Sequence, residues 1–180
     1  MSEKPEILHQ SIVSRSRLFT VEAVDFKFSN GVERTYERLV PGGSGAVMMV
    51  AMLDNEHVAL IREFGGGVEE YTLTLPKGAV DLGETLEQAA NRELQEEIGY
   101  AAGKLTFLKH MSLSPSYMKS GIDIFLAEDL YASKLEGDEP EPLELVKWPI
   151  ADLHELVMRD DCTEGRAIAA LYLARDYLAL

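Results

Sequence analysis

A single cysteine among 180 residues, Cys162, excludes an internal disulfide. No apolar run approaches the roughly 20 residues that a membrane helix needs. The opening stretch, MSEKPEILHQ, also lacks the basic start and apolar core of a secretory signal. These absences lead us to expect a cytoplasmic protein with no membrane partner. Basic residues are scarce: 17 Lys and Arg face 31 Asp and Glu, a formal net charge of -14. Nucleic acids and anionic membranes require a basic footprint, so both are excluded as partners. A small anionic ligand would need local cations, either metal ions or a few well-placed Lys and Arg. His9, His57, His110 and His154 are dispersed, and with Cys162 they spell no short zinc motif.

What remains is globular. The chain is 46% hydrophobic and 27% charged, and its length suits one ordinary unit of roughly 100 to 200 residues. Val24, Phe26 and Phe28 alternate with Asp25 and Lys27, which predicts a half-buried strand from Val21 to Phe28. Asn30-Gly31 then supplies a hairpin turn into a second strand, Val32 to Val40, ended by Pro41-Gly42-Gly43. Continuous apolar runs at Ala46 to Leu53 and His57 to Phe64 read as central strands buried on both faces. Further strands are expected at Leu105 to Leu113, Ile122 to Glu128 and Leu145 to Trp148. Two closing helices follow, the later one starting near Thr163. The division expected is an N-terminal hairpin region, 1–43, with the remaining chain, 44–180, as an α/β/α sandwich around a mixed sheet.

One helix carries the chemistry. Thr85 and Gln88 stand at capping-box spacing and Gly99 is placed to end the helix, which predicts helix from Thr85 to Ile98. At 100 degrees per residue, Glu93, Glu96 and Glu97 share a face with Leu86, Ala89 and Ala90. If the apolar half of that face packs inward, the carboxylates point at the protein's own body. Like charges one turn apart cost a few tenths of a kcal/mol, and acids near a helix C-terminus oppose its dipole. Magnesium offsets both, because it takes a few carboxylates and leaves coordination positions for phosphate oxygens.

Gly78, Glu84, Arg92, Glu93, Glu96, Glu97 and Gly99, with Leu94 at the bulky position, resemble the Nudix box G-x5-E-x7-R-E-U-x-E-E-x-G-U. Only the final bulky position departs, being Tyr100. The resemblance implies that Glu93, Glu96 and Glu97 hold magnesium, or manganese in its place, with more than one ion per site and the Gly78 carbonyl as a further ligand. It assigns Glu84, Arg92, Gly83 and Gly99 structural duties. It implies hydrolysis of a nucleoside diphosphate linked to another group. The catalytic base is then a glutamate of the box, Glu93 or Glu97, or one of the acidic loop Gly137 to Pro142, Glu139 or Glu141.

Outside the box, Ser14 to Glu22, Leu60 to Glu63, Pro115, Ser114 to Tyr117 and Leu135 to Leu143 resemble the ADP-ribose pyrophosphatase branch of that family. Members acting on ADP compounds hydrolyse ADP-ribose, NADH and diadenosine polyphosphates as homodimers. Two departures stand out. The branch's Gln-Tyr-Arg after the central strand is Glu63-Phe64-Gly65, and the position of its loop glutamate falls on Ser120. Arg62 and Lys77 are candidate phosphate contacts, with Phe19 or Tyr117 as a stacking surface for adenine. The competing readings are a diphosphatase for a nucleotide sugar such as GDP-mannose and a non-catalytic nucleotide sensor.

Overall fold

Two kinds of strand are distinguishable by what their side chains meet. In a computed structural model describing residues 3–178, β1 (Glu6–Arg15), β2 (Thr20–Lys27) and β3 (Glu33–Val40) form a separate antiparallel sheet in that order. All ten residues of β1 are exposed. The expected hairpin, β2 with β3, is therefore two strands of a three-stranded sheet whose middle strand is β2, and the full-length exposure of β1 explains why it left no burial rhythm to read. Arg38 Nη2 reaches Glu22 Oε2 at 2.7 Å across β2 and β3, in register with their pairing.

The second sheet has the path β10-β5-β4-β9-β8, built from β4 (Ala46–Met52), β5 (His57–Gly65), β8 (Tyr100–Ser112), β9 (Gly121–Ala132) and β10 (Glu144–Pro149). Two short strands sit off that path: β6 (Glu70–Thr74) pairs with β5, and β7 (Lys77–Ala79) pairs with β4. The β4–β9 pairing is parallel and the remaining pairings are antiparallel, so the sheet is mixed as expected. β6 and β7 were not expected; with five and three residues, they are too short for a periodic signal.

Alternation across β4 creates two cores. Met48, Val50 and Met52 face α2 (Leu153–Val157) and α3 (Gly165–Tyr177), packing with Leu153, Leu156, Ala167, Ala170, Leu171 and Ala174. Val47, Met49 and Ala51 face α1 (Leu86–Glu97) and bury Ala89, Ala90 and Leu94. Each fully buried Leu, Val or Met side chain stabilises the fold by about 1.5–3 kcal/mol relative to exposure. A single 3-10 turn, Ile150–Asp152, leads into α2. The two sheets meet where Leu39 N–H donates to the Tyr117 carbonyl at 2.7 Å and Lys119 N–H donates to the Leu39 carbonyl at 2.9 Å. The loop between β8 and β9 is thereby stitched to β3.

Candidate active site

The site is assembled on α1, and its boundaries follow from local chemistry. Thr85 caps the helix by accepting from the Gln88 amide, while the Gln88 side chain accepts from the Thr85 amide at 2.8 Å. This satisfies two of the orphan donors at the helix start. Gly99 follows with φ +76, and Gly83 in the preceding loop has φ +92, conformations that cost glycine least. With Ala89, Ala90 and Leu94 pinned against the sheet, the face that continues beyond them carries Glu93, Glu96 and Glu97.

Arg92 organises that face. Its Nη1 donates to Glu93 Oε1 at 2.8 Å and to Glu96 Oε2 at 2.9 Å. Its Nε and Nη2 donate to the Glu84 carboxylate at 2.9 and 3.0 Å, and Nη2 also donates to the Ala79 carbonyl at 2.8 Å. A planar guanidinium with five donors is suited to this role, which an ammonium could not fill. Glu84 is held below the usual carboxylate range by the Arg92 hydrogen bonds, aided by the Asp81 amide. Its other task is to close the glycine loop, since Glu84 Oε2 accepts from the Asp81 N–H at 3.0 Å.

Glu97 lies on the other side, where its Oε2 accepts from the Lys77 amide at 3.0 Å. Burial pushes its carboxyl up to about 8, against the opposing charge and amide of Lys77 and with the added repulsion of Glu93 and Glu63. Burial also raises Glu93; Arg92 counters it, whereas Glu96 and Asp138 reinforce it. A Cβ on Gly78 would overlap the Glu93 carboxylate, so that carboxylate occupies the space a side chain would take.

The loop from Lys134 to Leu143 roofs the cluster. Its entry is fixed where the Leu135 amide donates to the Gln95 carbonyl at 3.2 Å, and its exit where Tyr71 Oη donates to Glu141 Oε1 at 2.5 Å. Under the loop is a cavity of about 270 Å³ lined by Glu93, Glu96, Glu97 and residues 134–143. A second cavity, of about 460 Å³, shares these glutamates and adds Lys77, Gly78, Arg92, Asp138 and Glu139. Glu139 lines both, and burial together with Glu63 and Asp138 raises its proton affinity.

Of the residues singled out from the sequence, the structure brings together Glu84, Arg92, Glu93, Glu96, Glu97, Gly78, Lys77, Glu139 and Glu141. Arg62 is not among them. It follows Val58 and Leu60 on the α2/α3 face of β5, where its guanidinium meets Glu144 at 3.2 Å and Asp161 at 3.1 Å. Arg62 is engaged by these two carboxylates and lines neither of the cavities at the glutamate cluster. Tyr117 and Phe19 are both about half exposed, with relative accessibilities of 54% and 52%. Tyr117 lines a cavity with Phe26, Phe28, Tyr36 and Arg38 of the N-terminal sheet, while Phe19 lies in the β1–β2 turn. Glu63 had not been singled out. It follows Ala59 and Ile61 on the α1 face of β5 and pairs with Lys77 Nζ. The strict alternation of β5 was the signal that could have found it.

Carboxylate oxygens dominate this donor set, and no thiol or imidazole accompanies them, which is the chemistry of a hard divalent cation. Two of the carboxylates are costly to ionise without a nearby positive charge, so the residues fit such an ion. Among the described residues, no three acidic or imidazole side chains already converge as a ligand set. Arg92 and the Lys77 amide hold the carboxylates in their present directions.

A family model described as NUDIX domain matches residues 44–170, and one described as NudE-type Nudix hydrolase N-terminal domain matches residues 5–38. The chain is 52% identical to the ADP compounds hydrolase NudE of Escherichia coli (strain K12), covering 98% of this chain and 94% of that protein. It is 28% identical to an ADP-ribose pyrophosphatase of Bacillus subtilis (strain 168), covering 91% of each. A crystal structure of an ADP compounds hydrolase superimposes with a TM-score of 0.91 at 50% identity, covering 99% of this chain and 96% of that one.

Proposed function

Because the chain belongs to the Nudix family of hydrolases, we propose that this pyrophosphohydrolase splits the diphosphate linkage of ADP-containing compounds. The substrates proposed are ADP-ribose, NADH and diadenosine polyphosphates, with AMP released where the chemistry allows. The carrying observation is the α1 face on which Arg92 and the Lys77 amide orient Glu93, Glu96 and Glu97 beneath a carboxylate-bearing loop. The near full-length similarity to a NudE protein supports the substrate class.

Nudix hydrolases use divalent metal ions, and magnesium is the ion proposed here, with manganese as its substitute and more than one ion per site. When bound, it neutralises phosphate oxygens and lowers the pKa of the attacking water. Glu93, Glu96, Glu97 and the Gly78 carbonyl are the proposed ligands. Arg92 and Glu84 keep the first two carboxylates aligned, and Lys77 offers its ammonium to a substrate phosphate. Glu139 is the proposed base, because its proton affinity is raised and it lines both cavities. Glu141 is already engaged by Tyr71. Tyr117 or Phe19 is proposed to stack on the adenine.

We further propose a cytoplasmic homodimer formed through the N-terminal sheet. Ile7, Leu8, Ile12 and Val13 of β1 are each at least 43% exposed, and exposed apolar patches of this kind mark association surfaces. No helix among the described residues is long and apolar enough to cross a membrane. A magnesium-dependent panel tests the function: ADP-ribose, NADH, diadenosine triphosphate, ADP-glucose and GDP-mannose, with products separated by chromatography. AMP from the first three is the expected result. Preference for GDP-mannose would move the assignment to nucleotide sugars, and binding of ADP-ribose without cleavage would indicate a sensor.

A further inference from the structure

Lys77 has two attachments within the site. Its backbone N–H fixes Glu97 Oε2 at 3.0 Å, and its ammonium pairs with Glu63 of β5. Both partners of the ion pair are shielded, with side-chain accessibilities of 18% for Lys77 and 27% for Glu63. The ammonium also acts favourably on Glu97 and Glu139, so three carboxylates surround one flexible cation. Unrestrained, a lysine on the three-residue strand β7 would settle on whichever carboxylate is least compensated. Glu97, a proposed metal ligand, is one of these carboxylates and already accepts the Lys77 backbone N–H.

We propose that Glu63 is a positioning residue that keeps the Lys77 ammonium from pairing directly with Glu97 and holds it at the shared cavity for a substrate phosphate. An ammonium has three donors, so one committed to Glu63 leaves two for phosphate oxygens. The long lysine stem would otherwise lose rotamer freedom only on binding, and the ion pair removes that freedom in advance. The inference rests on Lys77 contacting phosphate.

The test compares wild type, Glu63→Gln, Lys77→Met and the double variant, reading KM and kcat for ADP-ribose and manganese affinity by calorimetry on the free enzyme. For Glu63→Gln we expect KM to rise about tenfold, the size of one charge-assisted hydrogen bond, with a smaller change in kcat. Manganese affinity should fall severalfold as the freed ammonium settles on Glu97, and the double variant should recover it. The KM of the double variant should match that of Lys77→Met alone. If Lys77→Met leaves KM unchanged, the phosphate contact itself is wrong. If Lys77→Met raises KM while Glu63→Gln does not, or if the two effects add fully, Glu63 does not act through Lys77 and the inference is overturned. Unchanged manganese affinity in Glu63→Gln would overturn the role of keeping Lys77 from Glu97.

Discussion

Replacing Gly78 with alanine separates the geometry of the glutamate cluster from the stability of the fold. The added methyl would overlap the Glu93 carboxylate. Carbon contacts settle near 3.5–4.0 Å, so the carboxylate must retreat by roughly 1.5 Å. It is the free end of a flexible side chain, so moving it is cheap for the fold. The loss is its hydrogen bond to Arg92 Nη1 at 2.8 Å, about 1–2 kcal/mol. Arg92 retains Glu84 and Glu96, and alanine keeps the β4 pairing of residue 78 with Val47. A fall of about 2–8 °C in Tm follows. Activity suffers far more, because a misplacement of about 1 Å in a catalytic group costs around a hundredfold. The assay is kcat/KM for ADP-ribose at saturating magnesium, with Tm followed by scanning fluorimetry. In a Glu93→Ala background the methyl meets no carboxylate, so Gly78→Ala should change neither quantity further. Gly78→Ala activity within threefold of wild type, or an equal loss in the Glu93→Ala background, would refute the reasoning.

Glu97→Gln should lower turnover by several orders of magnitude with little change in far-UV circular dichroism; near-normal turnover would remove Glu97 from the metal set. Since Glu97 carries a proton up to about pH 8 in the metal-free enzyme, metal must displace it. Affinity should therefore climb from pH 6 to about 8 and then level, with proton release detectable as buffer-dependent heat in calorimetry. A flat profile would contradict this. Asp161 is held down at about 2 by its Arg159 and Arg62 hydrogen bonds. Its folded pKa lies below the ordinary value, so its contribution is present above about pH 4 and disappears as pH falls towards 2. Asp161→Asn should cost on the order of 1–2 kcal/mol at pH 7 in urea titrations, after allowance for solvent screening, and progressively less below pH 4. Ile12→Glu with Val13→Lys should convert the proposed dimer to monomer in sedimentation experiments, and an unchanged sedimentation coefficient would exclude β1 from the interface.

Local signals found the parts of the fold that local chemistry determines. Thr85, Gln88 and Gly99 bound α1 to within a residue, because capping depends on neighbours in sequence. The apolar runs at Ala46 and His57 marked the central strands for the same reason. β7 was unreadable because Lys77 to Ala79 becomes a strand only by pairing with Ala46, Val47 and Met48. The contacts of Arg62 were unreadable because they depend on Asp161, which stands 99 residues further along the chain. The same distinction runs through the site. The box spacing placed Glu93, Glu96 and Glu97 on one helix face. The contribution of Glu63 depends on Lys77 of β7, and that of Tyr71 on a loop arriving from β9.

The parallel pairing of β4 with β9 also constrains the order in which this protein can come into being. Met49 lies beside Phe125, so the floor beneath α1 is completed by a strand synthesised long after the helix itself. Helices and hairpins close in microseconds, whereas pairings distant in sequence must first overcome the entropy of a large loop. On the nascent chain, α1 would display its carboxylates to water, ordinary in their acidity, until β9 docks and the roofing loop follows. The distinctive proton affinity of Glu97 is then among the last properties acquired, and a chain terminated before β9 would carry every box residue without the environment that gives them their chemistry.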